Sequence, residues 1–327
     1  MTSCLVFNHH SLPYSDEEKA ISAVPTFLRI CLGGQRLGLR LVLLEEHLDP
    51  TWFRIELAPD YFWQDWYQQK KEDDAFKDMI RGFRSLETRQ PLFTDDDVAR
   101  GIGLYDVKLV HDGLVYAAVR AAAWYDTFLL GFPTVSPWNA SPLSVTVETL
   151  NETGDILTVS QDISNICSEG IFESLQASII ERRRDSIRSG RELLANWSTL
   201  YPHLSYCGRV QEQLASWSHS TACLTQAKES LAVLDLFSNR WSSLELDDYS
   251  HQSLRDLGLN HEVSGESSTV SDTPKLKKFR EFYLPSGSKV FFENHIKISN
   301  GMRIHFFPEN TSRKTYVAYI GSHLPLK

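Results

Sequence analysis

The stretch "HIKISNGMRIHFF", His295 to Phe307, decides how the C-terminal part of this 327-residue chain folds. Two runs of strand-like composition flank Ser299-Asn300-Gly301, and within each run cationic residues alternate with aliphatic ones. A two-residue Asn-Gly turn pairs Ser299 with Met302 and sets Ile296 and Ile298 on the same face as Arg303 and His305, mixing the faces. A three-residue loop with Gly301 left-handed in a G1 bulge instead pairs Ile298 with Met302 and Ile296 with Ile304. One face then reads Ile296, Ile298, Met302, Ile304, Phe306, and the other His295, Lys297, Arg303, His305. A slip of one residue turns the whole apolar set to water, so the bulged register is the expectation.

That register places Lys297 opposite Arg303 and His295 opposite His305. Like charges across a ladder destabilise a sheet by roughly 0.2–1 kcal/mol, and a bound anion relieves the repulsion. The alternative is a basic outer face screened by water. "RKTYVAYIGSHLPLK" supplies a third strand from Tyr316 to Ile320, with Val317 and Tyr319 on one side, Ala318 and Ile320 on the other, and His323 two pleats beyond Tyr319. If Tyr319's side joins the histidine face, His295, His305 and His323 meet Arg303, Lys297 and Tyr319, a group suited to phosphate binding and to acid/base work near neutral pH. Three imidazoles can alternatively hold zinc. No partner carboxylate stands nearby in the sequence, and no metal and no cofactor is expected.

Charge separates this end from the rest. From Lys275 to Lys327 there are ten lysines and arginines against three acids, whereas the remainder carries 23 basic and 39 acidic residues. A basic tail on an acidic body points to an anionic partner, either a nucleic acid or an acidic protein, and excludes coating of nucleic acid by the whole chain. Arg313 and Lys314 add to the set able to hold phosphate. Five cysteines, odd in number and without a Cys-x-x-Cys pair, predict neither a disulfide framework nor a cysteine zinc site. No run of eighteen apolar residues and no secretory leader is visible, so a soluble cytoplasmic protein without a membrane partner is expected.

Upstream, "SDEE" at Ser15–Glu18 reads as a capping box before a helix that restarts at Pro25 and ends near "GGQRLG". "LRLVLLEE" and "WFRIEL" read as strands. "YFWQDWYQQKKEDDAFKDMIRGFRSL" is helical, its aromatics facing a sheet. Asp95, Asp96 and Asp97 read as a solvated loop, "DVKLVHDGLVYAAV" as a hairpin turning at Asp112-Gly113, and "PLSVTVETLNETGDILTVS" as another turning near Gly154. From about Gly170 to Tyr249 the pattern is helical, with Ile180, Ile187 and Leu194 seven apart. "HEVSGESSTVSDTP" is serine-rich and reads as a mobile linker. The fold class is therefore α+β: a mixed body over 1–165, a helical segment over 166–260, a flexible linker over 261–274 and a small antiparallel sheet over 275–327.

"SNGMRIHFFPENTSRKTYVAYIGSHL" resembles the final β-hairpin of RelE/ParE-like toxins, in which a G-x-R-[IV]-x-[FY] strand, a short charged loop and a "K-T-Y-V-x-x-I-G-H" type strand recur. The resemblance covers about the last forty residues. It implies mRNA cleavage by basic, histidine and tyrosine side chains on a concave sheet, although relatives poison gyrase or have lost activity. Carried over by position, Arg303 matches the strand arginine, Tyr319 lies in the closing strand and His323 is near the C-terminal histidine position. The two helices that lead this hairpin in the family are missing from the residues just before it. The overall layout also resembles uncharacterised bacterial proteins of phage-defence loci.

Two functions follow as expectations. The first is a nucleic-acid-directed component of a bacterial defence or toxin-type system, a metal-independent endoribonuclease acting on RNA before DNA. In it Arg303, His305, Tyr319 and His323 are catalytic, and His295, Lys297, Arg303, Arg313 and Lys314 bind the backbone. The second is a non-enzymatic scaffold subunit in a multiprotein complex.

Overall fold

The computed structural model describes residues 4–39, 41–45, 52–86, 92–151, 153–219 and 221–326. The chain divides into two compact units, 1–179 and 180–327, and its class is α+β.

The first unit is built on a parallel sheet. β1 (Cys4–Phe7) leads into the helix Glu17–Arg36 and then to β2 (Leu41–Leu43), the helical crossover that parallel pairing requires. β3 (Glu56–Ala58) and β4 (Tyr61–Phe62) form a small hairpin. Three more strands, β5 (Tyr105–Leu109), β7 (Leu143–Leu150) and β8 (Ile156–Ile163), make an antiparallel sheet in the order β5-β7-β8. β6 (Phe128–Leu130) and β9 (Asn165–Ile166) complete the parallel sheet, ordered β2-β1-β6-β9. β1 is buried on both faces because successive side chains enter different cores. Leu5 and Phe7 join Phe27 and Leu28 of the first helix, while Cys4 and Val6 join Ala118 and Ala122 of the helix Ala117–Trp124.

Several local expectations are corrected. Asp16, not Ser15, caps the first helix, accepting from the Lys19 amide at 2.9 Å. That helix runs through Pro25 without restarting and stops where Gly38 takes a φ of 92°. "WFRIEL" is a 3-10 turn, Trp52–Arg54, followed by β3. Asp95, Asp96 and Asp97 are the first turn of the helix Asp95–Ala99, and Asp97 is buried as the far side of a capping box with Thr94. The turn at Asp112-Gly113 folds the chain back through a single antiparallel bridge, Lys108 to Val115, and not a full hairpin: β5 finds its ladder partner in β7, and the chain after the turn goes into a helix.

The second unit places a mixed five-stranded sheet against helices. β10 (Leu204–Tyr206) runs parallel to β16 (Lys314–Ser322), which pairs with β15 (Met302–Glu309), then β14 (Asn294–Lys297) and β11 (Val263–Ser264), all antiparallel. The hairpin of β12 (Glu281–Tyr283) and β13 (Lys289–Phe291) stands apart from this sheet in its pairing. Ile296, Ile298, Ile304, Phe306, Val317 and Ile320 share one core with Leu224, Leu231 and Leu234 of the helix Ala222–Ser242. The seven-residue repeat of Ile180, Ile187 and Leu194 does not run along one helix, since the helix Glu169–Ser186 ends and Ser189 caps the next, Gly190–Ala195.

Residues 261–274, expected as a flexible linker, are structured. Val263 and Ser264 pair with Ile296 and His295, and Val270 is buried in the helix Ser268–Asp272. Val263 fills a place in the core that other segments build, and Val270 is also buried. No helix among the described residues is long and apolar enough to cross a membrane. The five cysteines are free thiols.

Candidate functional site

The register of β14 and β15 is the bulged one: Ile296 faces Ile304, Lys297 faces Arg303 and His295 faces His305. The Ile298 amide closes the loop onto Met302 O at 3.0 Å. Asn300 and Gly301 both take positive φ, 58° and 72°, the asparagine sharing a conformation that the glycine adopts without strain. The aliphatic face turns into the core, as the pattern requires.

The opposite face is not wet. His295 is 6% exposed and His305 1%. A second cluster of Phe282, Leu284, Phe292, Ala318, Tyr319 and Leu324 covers this side of the sheet, so the polar pattern of the strands lies under the β12–β13 segment rather than under solvent. A bulge between His305 and Phe306 also re-sorts the third strand: His305 pairs with Tyr319 but Phe306 with Val317. Val317 therefore enters the aliphatic core beside Ile320, and Tyr319 joins the cluster on the histidine side with Ala318, where Val317 was expected with Tyr319 and Ala318 with Ile320.

Within the covered face the polar side chains are held by internal partners, with His295 Nδ1 buried and outside hydrogen-bond reach of any among the described residues. His305 Nδ1 donates to Phe292 O at 3.2 Å, which leaves the lone pair on Nε2. His295 Nε2 meets Ser264 Oγ at 3.2 Å, and its Nδ1 lies 3.7 Å from Glu266 Oε1. The two rings are 5.1 Å apart. Glu266 Oε1 accepts from Arg280 Nε at 2.6 Å, and the fully buried guanidinium also donates to Leu276 O, Pro325 O and Leu324 O. Tyr319 sets its ring edge-on to His305 at 5.6 Å and donates its hydroxyl to Ser322 O at 2.6 Å.

Burial, and then the neighbouring His295, pulls the His305 pKa down to about 3. Burial also lowers His295, against the pull of Glu266. Both shifts favour the neutral imidazoles, away from the titration near neutral pH that the sequence suggested.

The remaining sequence-derived residues scatter. Lys297 is paired with Glu262. Arg303 is half-buried and donates to Met302 O at 2.9 Å. Arg313 donates to Trp241 O and Leu246 O, pinning the turn before β16 to the end of a long helix. Lys314 is exposed at the far end of the ladder, opposite Glu309. His323 lies beyond β16, exposed, with Nδ1 donating to Leu324 O at 2.6 Å. The structure thus joins His295, His305 and Tyr319, keeps Lys297 and Arg303 on the same ladder, and leaves Arg313, Lys314 and His323 outside.

Three features of the molecule do not stand out in the sequence. Glu266 sits in the serine-rich stretch, and Arg280 at the end of "KLKKFR" reads as one more surface cation. The second is a basic surface on the short helix Pro274–Lys278 and the β12–β13 hairpin: Lys275, Lys278 and Lys289 are exposed, and Lys277 Nζ lies 5.1 Å from the centre of the Phe291 ring. Lys289 bonds Glu281 and, with Lys277 and Lys278, holds that carboxyl below its usual range. Tyr283, 64% exposed, pairs with Lys289 across the hairpin.

The third is at the carboxyl ends of β1 and β2, where His9 Nδ1 lies 3.0 Å and His10 Nε2 3.9 Å from Glu45 Oε2. The neighbouring Asn8 side-chain carboxamide is fully buried without a hydrogen-bond partner among the described residues. In parallel sheets this edge is where ligands bind, and a His-His pair just past a first strand is the one signal of it. Among the described residues, two groups bring three metal-ligating side chains within 4.8 Å of one another: His9, His10, Glu45 and Glu266, His295, His305. No known protein family, curated protein or solved structure matches the chain.

Proposed function

We propose that this protein is a non-catalytic recognition subunit that binds single-stranded nucleic acid, RNA before DNA, through the basic surface of its second unit. The setting is the one its C-terminal hairpin and overall layout resemble, a multiprotein bacterial toxin-type or defence assembly in the cytoplasm. The carrying observation is Tyr283, a large aromatic left 64% exposed opposite Lys289, on a hairpin whose Phe291 ring Lys277 of the helix Pro274–Lys278 overlies. An exposed ring flanked by ammonium groups serves single strands: any base stacks on the ring, and the lysines follow the backbone. Cleavage finds less support, since His305 and Tyr319 are buried and hydrogen-bonded internally, and only Arg303 and His323 of the expected catalytic set reach the surface.

The test is fluorescence anisotropy with a labelled single-stranded RNA and a duplex DNA across a salt series, with RNA integrity followed on gels in the presence of EDTA. Binding should prefer the single strand, weaken steeply with salt and leave the RNA intact. Tyr283→Ala should cost about 1–3 kcal/mol of binding. Lys275→Ala with Lys278→Ala should flatten the salt slope by roughly 0.7 for each phosphate that is no longer neutralised. Wild-type affinity in both variants, or an absence of binding to either nucleic acid, overturns the reading and leaves the scaffold role.

A further inference from the structure

Glu266, His295 and His305 have the composition and the surroundings of a divalent metal site, and we propose that they bind a first-row transition ion, zinc by ligand type. Two imidazoles and one carboxylate are a standard three-ligand set for zinc with one position open. In tetrahedral coordination, bonds of about 2.0–2.2 Å place two donor atoms about 3.3–3.5 Å from each other. His295 Nδ1 and Glu266 Oε1 are 3.7 Å apart, and all three donor atoms lie within 4.8 Å. That separation is too long for a hydrogen bond and close to what a shared ion needs. The His295 Nδ1 atom is buried with no hydrogen-bond partner among the described residues, in a side chain 8% exposed.

The outer shell is also that of a metal site, where each ligating imidazole is usually fixed through its other nitrogen. His305 is fixed by Nδ1 on Phe292 O, which leaves Nε2 as its coordinating nitrogen. His295 is fixed by Nε2 on Ser264 Oγ, which directs Nδ1 toward Glu266. Glu266 is fixed by Arg280, whose bond uses only one of the roughly four lone pairs on the carboxylate. Arg280 leaves the loaded site with excess positive charge, so the fourth ligand would be water or, more favourably, an anion. The ligands converge from three separate stretches of chain: Glu266 from the segment after β11, His295 from β14 and His305 from β15. An ion would therefore tie residues 261–274 to the sheet. The His9, His10, Glu45 group differs here, because its carboxylate already touches His9 at 3.0 Å.

The test uses tag-free full-length protein stripped with chelator, titrated with Zn²⁺ against a chromophoric competitor and with Co²⁺ by visible absorption. Wild type should take up an equivalent with a four-coordinate cobalt spectrum, and this equivalent should be lost in Glu266→Gln but kept in Glu45→Gln. Should Glu266→Gln fail a thermal-melt check of folding, Ser264→Ala decides. It removes only the outer hydrogen bond to His295 and should weaken zinc binding roughly 10–100-fold. Absence of an equivalent in the wild type, or retention of it at unchanged affinity in folded Glu266→Gln or in Ser264→Ala, overturns the proposal. Neither readout requires nucleic acid, so it stands or falls separately from the binding function.

Discussion

In the first unit Glu45 reaches His9 at 3.0 Å at the edge of a parallel sheet, with the His10 side chain 36% exposed; in the second, Glu266 stops 3.7 Å short of His295 beneath a covered sheet face. The same residue types give different chemistry because of what lies over them. At the sheet edge the carboxylate and His9 pair directly through buried atoms, and only the neighbouring His10 is open to water. Beneath the β12–β13 segment the imidazoles lose their charge, and an arginine with no exposed surface holds the carboxylate from behind. The second unit therefore concentrates its vulnerability in one buried polar cluster, whereas the first spreads it through two apolar cores and the Asp97 network.

The largest effect that sharpens this contrast is at Arg280. Its removal in Arg280→Ala strands the Glu266 charge in the interior and should destabilise the second unit by about 3–5 kcal/mol, read in denaturant melts. A loss below about 1 kcal/mol would mean that water reaches Glu266. Next come the two faces of β15. Ile304→Ala should cost about 2–5 kcal/mol as a core truncation. His305→Ala, which on a wet face would be nearly neutral, should cost at least about 1–3 kcal/mol, because it empties a buried position and leaves Phe292 O unpaired.

Acid should separate the units. The folded-state pKa of His305 lies far below the unfolded value of about 6.5, so its stabilisation is complete above that value and is lost as pH falls from there toward 3. For Asp97, burial alone raises the pKa, but hydrogen bonds from Thr94, Tyr125 and Trp124 outweigh it and hold the carboxyl well below its usual range. Its contribution is present above about pH 4 and lost only below. In chelated protein between about pH 4.5 and 6, hydrogen exchange should therefore rise in peptides of the second unit while those around Asp97 stay protected. Simultaneous loss in both would break the contrast. The smallest effect is at the surface: Lys297→Ala removes a pair whose members are 34% and 61% exposed, and should change stability by less than about 1 kcal/mol in the same melts.

Much of the hairpin was legible because period-two alternation has only two registers, and only one of them segregates the isoleucines. The β7–β8 hairpin was legible for the same reason, its turn lying near Gly154. Alternation says which side chains share a face but not what later covers that face, so by alternation alone His295 and His305 look solvated. Composition misled in "HEVSGESSTVSDTP", where Val263 pairs with Ile296, more than twenty residues away, and Val270 is buried. Glu266 was hidden by the same error, and with it the carboxylate that completes the histidine pair. Asp97 looked like one acid among three because a helix first turn and a solvated loop favour the same residues.

The most direct measurement is an imidazole-acylation footprint of the folded chain, read by mass spectrometry. His111, His219 and His323, all exposed, should react quickly, while His295 and His305 stay protected until the protein is unfolded. Modification of His305 in the native state at the rate of His323 would contradict a sealed polar face.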